Sequence, residues 1–292
     1  MASIRAWTTA ARPHTLPAAI TPVLVGSGLA YGDGVFRWDA FAWALLGALA
    51  IQVAANFAND ASDARRGADT PARLGPPRMV ALGEIPARQM WAAAWLAVSV
   101  AAIAGIALTM IAGPVILVIG VSSVIAMLGY VGGPAPYGYR GLGEVFTFVF
   151  FGLVATVGSR FVHDMTAPLS AWLLAIPIGM LVTAILVVNN LRDIETDAEA
   201  GKRTLAVIMG GARARALYAV LVLGAFALVA LFAVAGWVPN LAVFAAFLAP
   251  AGARPVRAVY RERGRALNRV LGQTARLHLA TGMALALAGA LA

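Results

Sequence analysis

Residues 170–199 of the chain form the stretch SAWLLAIPIGMLVTAILVVNNLRDIETDAE, an uncharged apolar run that passes directly into a cluster of acidic residues. The apolar part is about as long as the roughly 20 residues that an α-helix needs to cross the hydrocarbon core of a bilayer. This stretch therefore predicts a membrane-spanning helix whose polar end carries several oxygen ligands.

The composition of the whole chain extends that prediction. Of its 292 residues, 61% are hydrophobic and 12% are charged, whereas soluble domains carry about 25% charged residues. We predict an all-α, polytopic membrane protein in which one domain spans residues 1–292 and nine transmembrane helices surround a central cavity that opens to the cytoplasmic side. The helices are expected at residues 16–33, 39–58, 90–111, 114–132, 143–162, 170–190, 214–236, 239–253 and 273–291.

The basic residues indicate how the chain is oriented. The N-terminal tail and the gaps after even-numbered helices hold nearly all of the 22 Lys and Arg residues. Only Arg37 and Arg160 lie on the other side, which leaves 22 − 2 = 20 on the first. The positive-inside rule makes that first side cytoplasmic. We therefore expect an integral protein of the bacterial cytoplasmic membrane, with the N-terminus and the acidic loops inside. Membrane lipids are expected partners. Nucleic acid is not, because the charges occupy short gaps between apolar runs.

Two acidic clusters follow the second and sixth predicted helices. The first, NFANDASDARRGADT at residues 56–70, contains Asp60, Asp63 and Asp69, and the second begins NNLRDIETD at residue 189 and contains Asp193 and Asp197. Asp60 and Asp63 are three residues apart and Asp193 and Asp197 are four apart, so each pair shares a helix face. Carboxylate and amide oxygens suit Mg²⁺, which completes its coordination with phosphate and water. The amides beside these acids belong to Asn56, Asn59, Asn189 and Asn190.

Basic residues follow each cluster. Arg65 lies after the first, and Lys202 and Arg203 lie after the second. Arginine binds phosphate oxygens through two donors and lysine adds a compact charge. Acidic and basic residues at the same end of the helices fit a metal–diphosphate complex better than a bare anion or a bare cation. A third segment, at residues 130–144, is rich in Gly and Pro and carries Tyr137, Tyr139 and Arg140. It is either a plain tether or a segment that covers the site or contacts an aromatic acid.

These motifs resemble the UbiA superfamily of intramembrane aromatic prenyltransferases. The resemblance rests on RPHTLPAAITPVLVG (residues 12–26), NFANDASDARRGADT (56–70), PYGYRGLGE (136–144) and NNLRDIETDAEAGKRTLAV (189–207). They are most similar to the branch that acts on 1,4-dihydroxy-2-naphthoate in menaquinone biosynthesis. That branch shares the Gly67 and Asp69 spacing, where the wider superfamily has an acid at the position of Gly67. Pro134 replaces a lysine expected four residues after Tyr130, a loss for which Arg140 or Arg78 could compensate.

The resemblance implies a Mg²⁺-dependent reaction in which a polyprenyl group passes from polyprenyl diphosphate to 1,4-dihydroxy-2-naphthoate, with decarboxylation to demethylmenaquinone and release of diphosphate. It assigns the metal to Asp60, Asp63, Asp193 and Asp197, makes Lys202 catalytic, and leaves Arg140 as the expected contact of the acceptor carboxylate. The substrate-binding residues expected from it are Asn56, Asn59, Arg65, Asp69, Arg78, Tyr130, Tyr137, Tyr139, Asn189, Asn190 and Arg203.

Other functions remain compatible with the sequence. The same fold could use 4-hydroxybenzoate, haem, a chlorophyll precursor or a homogentisate-like ring as the acceptor. A cation-coupled transporter would place its acids near the bilayer midplane between inverted repeats, rather than at helix ends. A phosphatidyltransferase acting on CDP-alcohols would carry its acids in one compact motif, whereas this chain has two separate ones.

Overall fold

The computed structural model describes residues 2–66, 74–132 and 136–292, and over these ranges the chain is helical and contains no β-strand. Its helices are α1 (Ile4–Ala11), α2 (Pro17–Gly32), α3 (Trp38–Arg65), α4 (Ala87–Ala112), α5 (Val115–Val131), α6 (Gly143–Asp164), α7 (Leu169–Arg192), α8 (Ile194–Glu199), α9 (Leu205–Met209), α10 (Gly211–Val234), α11 (Asn240–Arg261) and α12 (Leu267–Ala290).

The all-helical membrane architecture expected from the sequence is confirmed. In the described part of the chain, α3, α4, α6, α7, α10 and α11 are long and apolar enough to cross a membrane. Residues Ile4–Thr15 and α2 pass the same test together as one segment bent by 47°. The helix α5 is apolar but shorter, and α12 contains two arginines. Each of the nine predicted segments coincides with a helix, while their number as membrane spans stays a prediction.

Three predicted boundaries need correction. The helix α3 continues to Arg65 instead of ending at residue 58, and α12 begins at Leu267 instead of residue 273. The third boundary is that of α11. The segment predicted at 239–253 extends to Arg261 as α11 and is interrupted at residues 247–248. Arg254 and Arg257, expected in a loop, lie on the exposed side of this helix, and Val259 is buried on its other side. The pattern is amphipathic, so the helix continues although its polar face is strongly basic.

Close packing between α2 and α12 holds one side of the bundle together. A Cβ added at Gly28 would lie 2.3 Å from the carbonyl oxygen of Ala286, and one added at Gly32 would lie 1.9 Å from that of Gly289. Small residues let membrane helices approach each other in this way. A buried apolar cluster lies on the same side, between α2, α6, α7, α10, α11 and α12.

The chain direction brings the two acidic clusters to the same end of the bundle. The helices α3 and α7 both end in their acidic cluster, and we call this end of the molecule the acidic end. The opposite end, called the far end, carries Arg160, which forms ion pairs with Asp33 (2.7 Å) and Asp164 (2.6 Å). The acidic end therefore holds the candidate site.

Candidate active site

A polar cavity of about 930 Å³ lies at the acidic end and brings the two acidic clusters together. Asp63 of the first cluster and Asp193 and Asp197 of the second all line it, together with Lys202. The other charged or amide side chains in its wall belong to Arg12, His14, Gln52, Asn59, Arg78, Asn189, Asn190, Arg192, Arg265 and Asn268. Most of the charged groups in this wall are basic, so the cavity suits an anion bound with a cation.

Asp63 is the meeting point of the first cluster. Its Oδ2 accepts a hydrogen bond from Arg78 Nη2 at 2.9 Å, and its Oδ1 accepts one from the hydroxyl of Tyr139 at 2.5 Å. Lys202 Nζ lies 3.5 Å from the same Oδ1. Asp63 and Arg78 are both buried. The structure thus brings together four residues that the sequence places on four separate segments.

Lys202 connects the two clusters. Its Nζ lies 3.9 Å from Asp197 Oδ1 and 4.8 Å from the centre of the Tyr139 ring, in addition to its contact with Asp63. Its backbone N–H donates to the carbonyl of Asp197 at 2.8 Å, and the N–H of Arg203 donates to the carbonyl of Tyr139 at 3.1 Å. These backbone bonds hold the main chain from which the ammonium group reaches the carboxylates of both motifs.

Arg192 holds Asp193 in the second cluster and is a residue that the sequence analysis missed. It is 2% exposed and forms a two-point ion pair with the neighbouring Asp193. Its guanidinium also donates to Asn189 Oδ1 (3.0 Å) and to Asn268 Oδ1 (2.8 Å). A Cβ added at Gly75 would lie 2.5 Å from Arg192 Nη2, so that glycine lets the chain pass against the guanidinium. The signal in the sequence was an arginine directly before the motif acid.

Asp60 has a different environment from Asp63. It is fully buried, and its carboxylate accepts hydrogen bonds from the backbone N–H groups of Met79 (3.0 Å) and Val80 (3.0 Å). It does not line the polar cavity. These contacts connect α3 to the segment that carries Arg78, and the assignment of Asp60 as a metal ligand stays a prediction.

The predicted asparagines build the walls of the site. Asn190 donates to Glu144 Oε1 at 2.9 Å in a buried pair. Asn56 donates to the carbonyl of Ala11 (2.8 Å) and to Thr15 Oγ1 (2.9 Å), which joins α3 to the N-terminal segment. Asn59 lines the polar cavity, and its buried Oδ1 has no hydrogen-bond partner in the described residues.

The other residues predicted for the site differ in whether they lie near the polar cavity. Tyr137 donates to the carbonyl of Ala126 at 2.8 Å, and burial raises the pKa of its hydroxyl, which therefore stays protonated. Three predicted arginines are exposed and do not line the polar cavity: Arg65, Arg140 and Arg203. Asp69, predicted as a ligand or acceptor base, lies outside the described residues.

The N-terminal segment contributes a cation and an imidazole to the site, neither of which was predicted from the sequence. Arg12 and His14 lie in the chain between α1 and α2, and both line the polar cavity. Arg12 has a positive φ of 52°, a conformation that costs energy for a residue with a side chain and is concentrated at functional sites. The quoted motif RPHTLP contained this signal, because an arginine and a histidine precede the first spanning helix.

The carboxylates fit a hard divalent cation that is shared with a substrate. Among the described residues, no group of three or more Asp, Glu, His or Cys side chains is close enough to hold a metal ion without further ligands. Mg²⁺ usually binds through one or two carboxylates and takes its remaining ligands from phosphate and water. Asp63, Asp193 and Asp197 around one cavity supply that kind of donor set.

A second, apolar cavity of about 340 Å³ continues from the polar one into the bundle. It lies between α2, α3, α4, α5 and α6. Several residues line both cavities, which places the two next to each other: Gln52, Asn59, Tyr130, Thr147, Phe151 and Leu186. Part of the wall is the π-helical turn Phe148–Val154 within α6, a deviation that is frequent at functional sites.

A charged cavity that adjoins an apolar one inside an all-helical membrane protein suits a ligand with a charged head and a long apolar tail. Residues 19–287 match the UbiA prenyltransferase family, and the chain belongs to that family. The chain is therefore a prenyltransferase, and the resemblance expected from its motifs is confirmed.

Individual relatives support the same family. The chain is 40% identical to the 1,4-dihydroxy-2-naphthoate octaprenyltransferase of Mycobacterium tuberculosis, over 100% of this chain and 98% of that protein. It is 38% identical to the enzyme of the same name from Escherichia coli, over 78% and 76% of the two chains. Its fold is similar to that of a UbiA homologue from Archaeoglobus fulgidus bound to DMAPP and Mg²⁺, with TM-score 0.68 and 16% identity over 96% and 98% of the chains.

Proposed function

We propose that this enzyme transfers a polyprenyl group from polyprenyl diphosphate to 1,4-dihydroxy-2-naphthoate, with loss of CO₂ and release of diphosphate. The observation that carries the proposal is the junction of the two cavities. At Asn59 and Tyr130, a charged space that fits diphosphate meets an apolar space that fits an isoprenoid tail. The names of the bacterial relatives favour the naphthoate as the acceptor.

Asp63, Asp193 and Asp197 are the residues that would hold Mg²⁺ with the diphosphate. Bound there, the metal supplies Lewis-acid stabilisation of the negative charge that develops on the leaving group. Two of these carboxylates already lie within 4 Å of Lys202 Nζ. Because these charged groups already lie close together, they need to move little when a charged substrate binds.

The cations of the polar cavity stabilise the departing diphosphate. Arg78 and Lys202 lie against Asp63, and both can donate to phosphate oxygens while they stay near that carboxylate. The C1–O bond of the donor breaks, its electron pair leaves with the diphosphate, and an allylic cation remains at C1. The apolar residues beyond the junction exclude water that would otherwise capture this cation.

The acceptor reacts at the ring carbon that carries its carboxylate. That carbon forms the new bond to C1 of the prenyl group, the carboxylate then leaves as CO₂, and its bonding electrons restore the aromatic ring. The product is the quinol, which is oxidised outside this site to demethylmenaquinone. The carboxylate requires a cation, and we propose Arg12, which lines the polar cavity, in place of the exposed Arg140.

We further propose that the chain acts as one domain in the bacterial cytoplasmic membrane, with its acidic end in the cytoplasm. The basic residues of the N-terminal tail and of the segments after α3, α5, α7 and α11 support this orientation, because positively charged segments are retained on that side. A polyprenyl diphosphate would then enter with its head among the basic groups and its tail in the bilayer.

Diphosphate release by the purified protein in nanodiscs tests the proposed function. The assay contains Mg²⁺, a polyprenyl diphosphate and each aromatic acceptor in turn, and mass spectrometry identifies the product. We expect release and a decarboxylated prenyl-naphthoquinol only with 1,4-dihydroxy-2-naphthoate, and loss of both with EDTA. Turnover with 4-hydroxybenzoate or a homogentisate-like ring instead would reject the acceptor and retain the chemistry. A folded protein that is inactive with every acceptor would reject the chemistry as well.

A further inference from the structure

Three glycines in the apolar cavity lack a packing partner. Gly105 on α4, Gly120 on α5 and Gly158 on α6 all line this cavity, and a Cβ added at any of them would meet no atom within 4 Å outside its own helix backbone. The glycines of the α2–α12 contact differ, because a Cβ at Gly28 or Gly32 would collide with the opposite backbone. Close helix packing therefore explains Gly28 and Gly32, and it does not explain the three glycines of the apolar cavity.

A glycine inside a helix is less favourable than alanine, because it loses more conformational freedom when the helix forms. None of these three has a positive φ that would require glycine. What they share is their place in the cavity wall, where any side chain would project into free space. Their effect on the molecule is to keep that space open.

Their position along the helices places them away from the charged site. Tyr130, at the junction of the cavities, and Gly120 are ten residues apart on α5, which corresponds to about 15 Å along a helix. Gly158 lies eleven residues after Thr147, another junction residue, on α6. The neighbouring lining residues Leu108, Ile116 and Val162 are apolar. This half of the cavity therefore contacts the part of a bound lipid most distant from its diphosphate.

We infer that Gly105, Gly120 and Gly158 determine the longest prenyl tail that the enzyme accepts. This inference rests on the proposed function, since it takes the donor to be a polyprenyl diphosphate. A leucine side chain is nearly as large as one isoprene unit. Leucine at these positions would occupy the space of a distal unit without touching the residues that bind the diphosphate or the acceptor.

The experiment compares donors of increasing length in the full-length protein in nanodiscs. Farnesyl, geranylgeranyl and octaprenyl diphosphate are each assayed with Gly105→Leu, Gly120→Leu and Gly158→Leu. We expect the ratio of kcat/KM for octaprenyl over farnesyl diphosphate to fall about 10-fold or more, the discrimination that one steric change in an apolar pocket produces. The value for farnesyl diphosphate should change little. Gly120→Ala should give a smaller fall in the same ratio.

Ala102→Leu is the matched control, because Ala102 lies on α4 three residues before Gly105, is exposed and does not line the cavity. An unchanged donor ratio in all glycine variants that remain folded would overturn the inference. An equal fall in the Ala102→Leu control would also overturn it. A wild-type protein that is inactive with every donor would instead reject the proposed function, so the two failures are distinguishable.

Discussion

Asp60 and Asp63 lie three residues apart on one helix and have different hydrogen-bond partners. Asp60 accepts hydrogen bonds from two backbone N–H groups, whereas Asp63 contacts the side chains of Arg78, Lys202 and Tyr139 in the polar cavity. Both are buried carboxylates, so their type and exposure do not distinguish them. The difference shows that two acids at helical spacing in one motif can differ in their partners, since one contacts backbone N–H groups and the other contacts side chains of the cavity wall.

Asp63 of the first cluster and Asp193 of the second also differ in how their charges are neutralised. Asp63 is paired with cations from distant segments, the nearer of which is fifteen residues away. Asp193 is paired with Arg192, the residue directly before it. The first cluster therefore depends on the fold of the loop that follows α3, and the second on a local pair that is fixed by α7 and α12. Substitutions within each cluster can separate these roles.

The largest effect is expected for Asp63→Asn. This change removes the negative charge that Arg78 and Lys202 face, and it removes a carboxylate proposed to hold Mg²⁺. We expect kcat/KM to fall on the order of 10³-fold, the scale on which charge stabilisation of a transition state acts. Steady-state kinetics with thermal unfolding in detergent measure the two consequences separately.

Asp39→Asn is the matched control for this variant, because Asp39 lies on the same helix at the far end and pairs with Arg37 at the surface. It should retain wild-type activity. Full activity of Asp63→Asn at ordinary Mg²⁺ concentrations would contradict the metal assignment.

A smaller effect is expected for Arg192→Gln, with a different kinetic signature. Arg192 orients Asp193 and is not expected to touch the reacting atoms. We expect the Mg²⁺ concentration for half-maximal activity to rise about 10- to 100-fold, as it does when a residue that orients a metal ligand is lost. The maximal rate at saturating Mg²⁺ should change less. Gly75→Ala should act in the same direction, because its Cβ would displace the guanidinium.

The exposed Arg213 on α10 provides the control substitution, Arg213→Gln. A loss of maximal rate in Arg192→Gln with an unchanged Mg²⁺ requirement would assign Arg192 to the substrate rather than to Asp193.

Asp60→Asn is expected to affect stability more than chemistry. The asparagine retains one acceptor oxygen for the backbone N–H groups of Met79 and Val80 and places an amide N–H₂ group against the other. An unpaired buried polar group costs about 1–3 kcal/mol, so we expect a lower unfolding temperature and an activity at least about 10-fold above that of Asp63→Asn. A fully stable but inactive Asp60→Asn would support direct metal binding, as the sequence predicted.

The helical fold and the end of the bundle that carries the site could be predicted from the sequence, because apolar length and the alternation of charges are local properties. The roles within the motifs depend on distant partners. Asp60 meets residues 79 and 80, and Lys202 meets Asp63, which is 139 positions earlier. Arg192 and Arg140 are both arginines next to a motif, and only the fold buries the first and exposes the second.

The smallest effect is expected for Arg140→Gln, the residue that the sequence favoured for the acceptor carboxylate. Exposed charge pairs contribute about 0–1 kcal/mol, so the KM for the naphthoate should change by less than about 5-fold. Arg12→Gln removes a cation from the cavity wall and should raise that KM by more, because charge-assisted hydrogen bonds are the stronger ones away from bulk water. If Arg140→Gln raised the KM and Arg12→Gln did not, the turn Tyr137–Arg140 would have to move over the bound acceptor. The carboxylate contact would then return to the residue that the motif predicted.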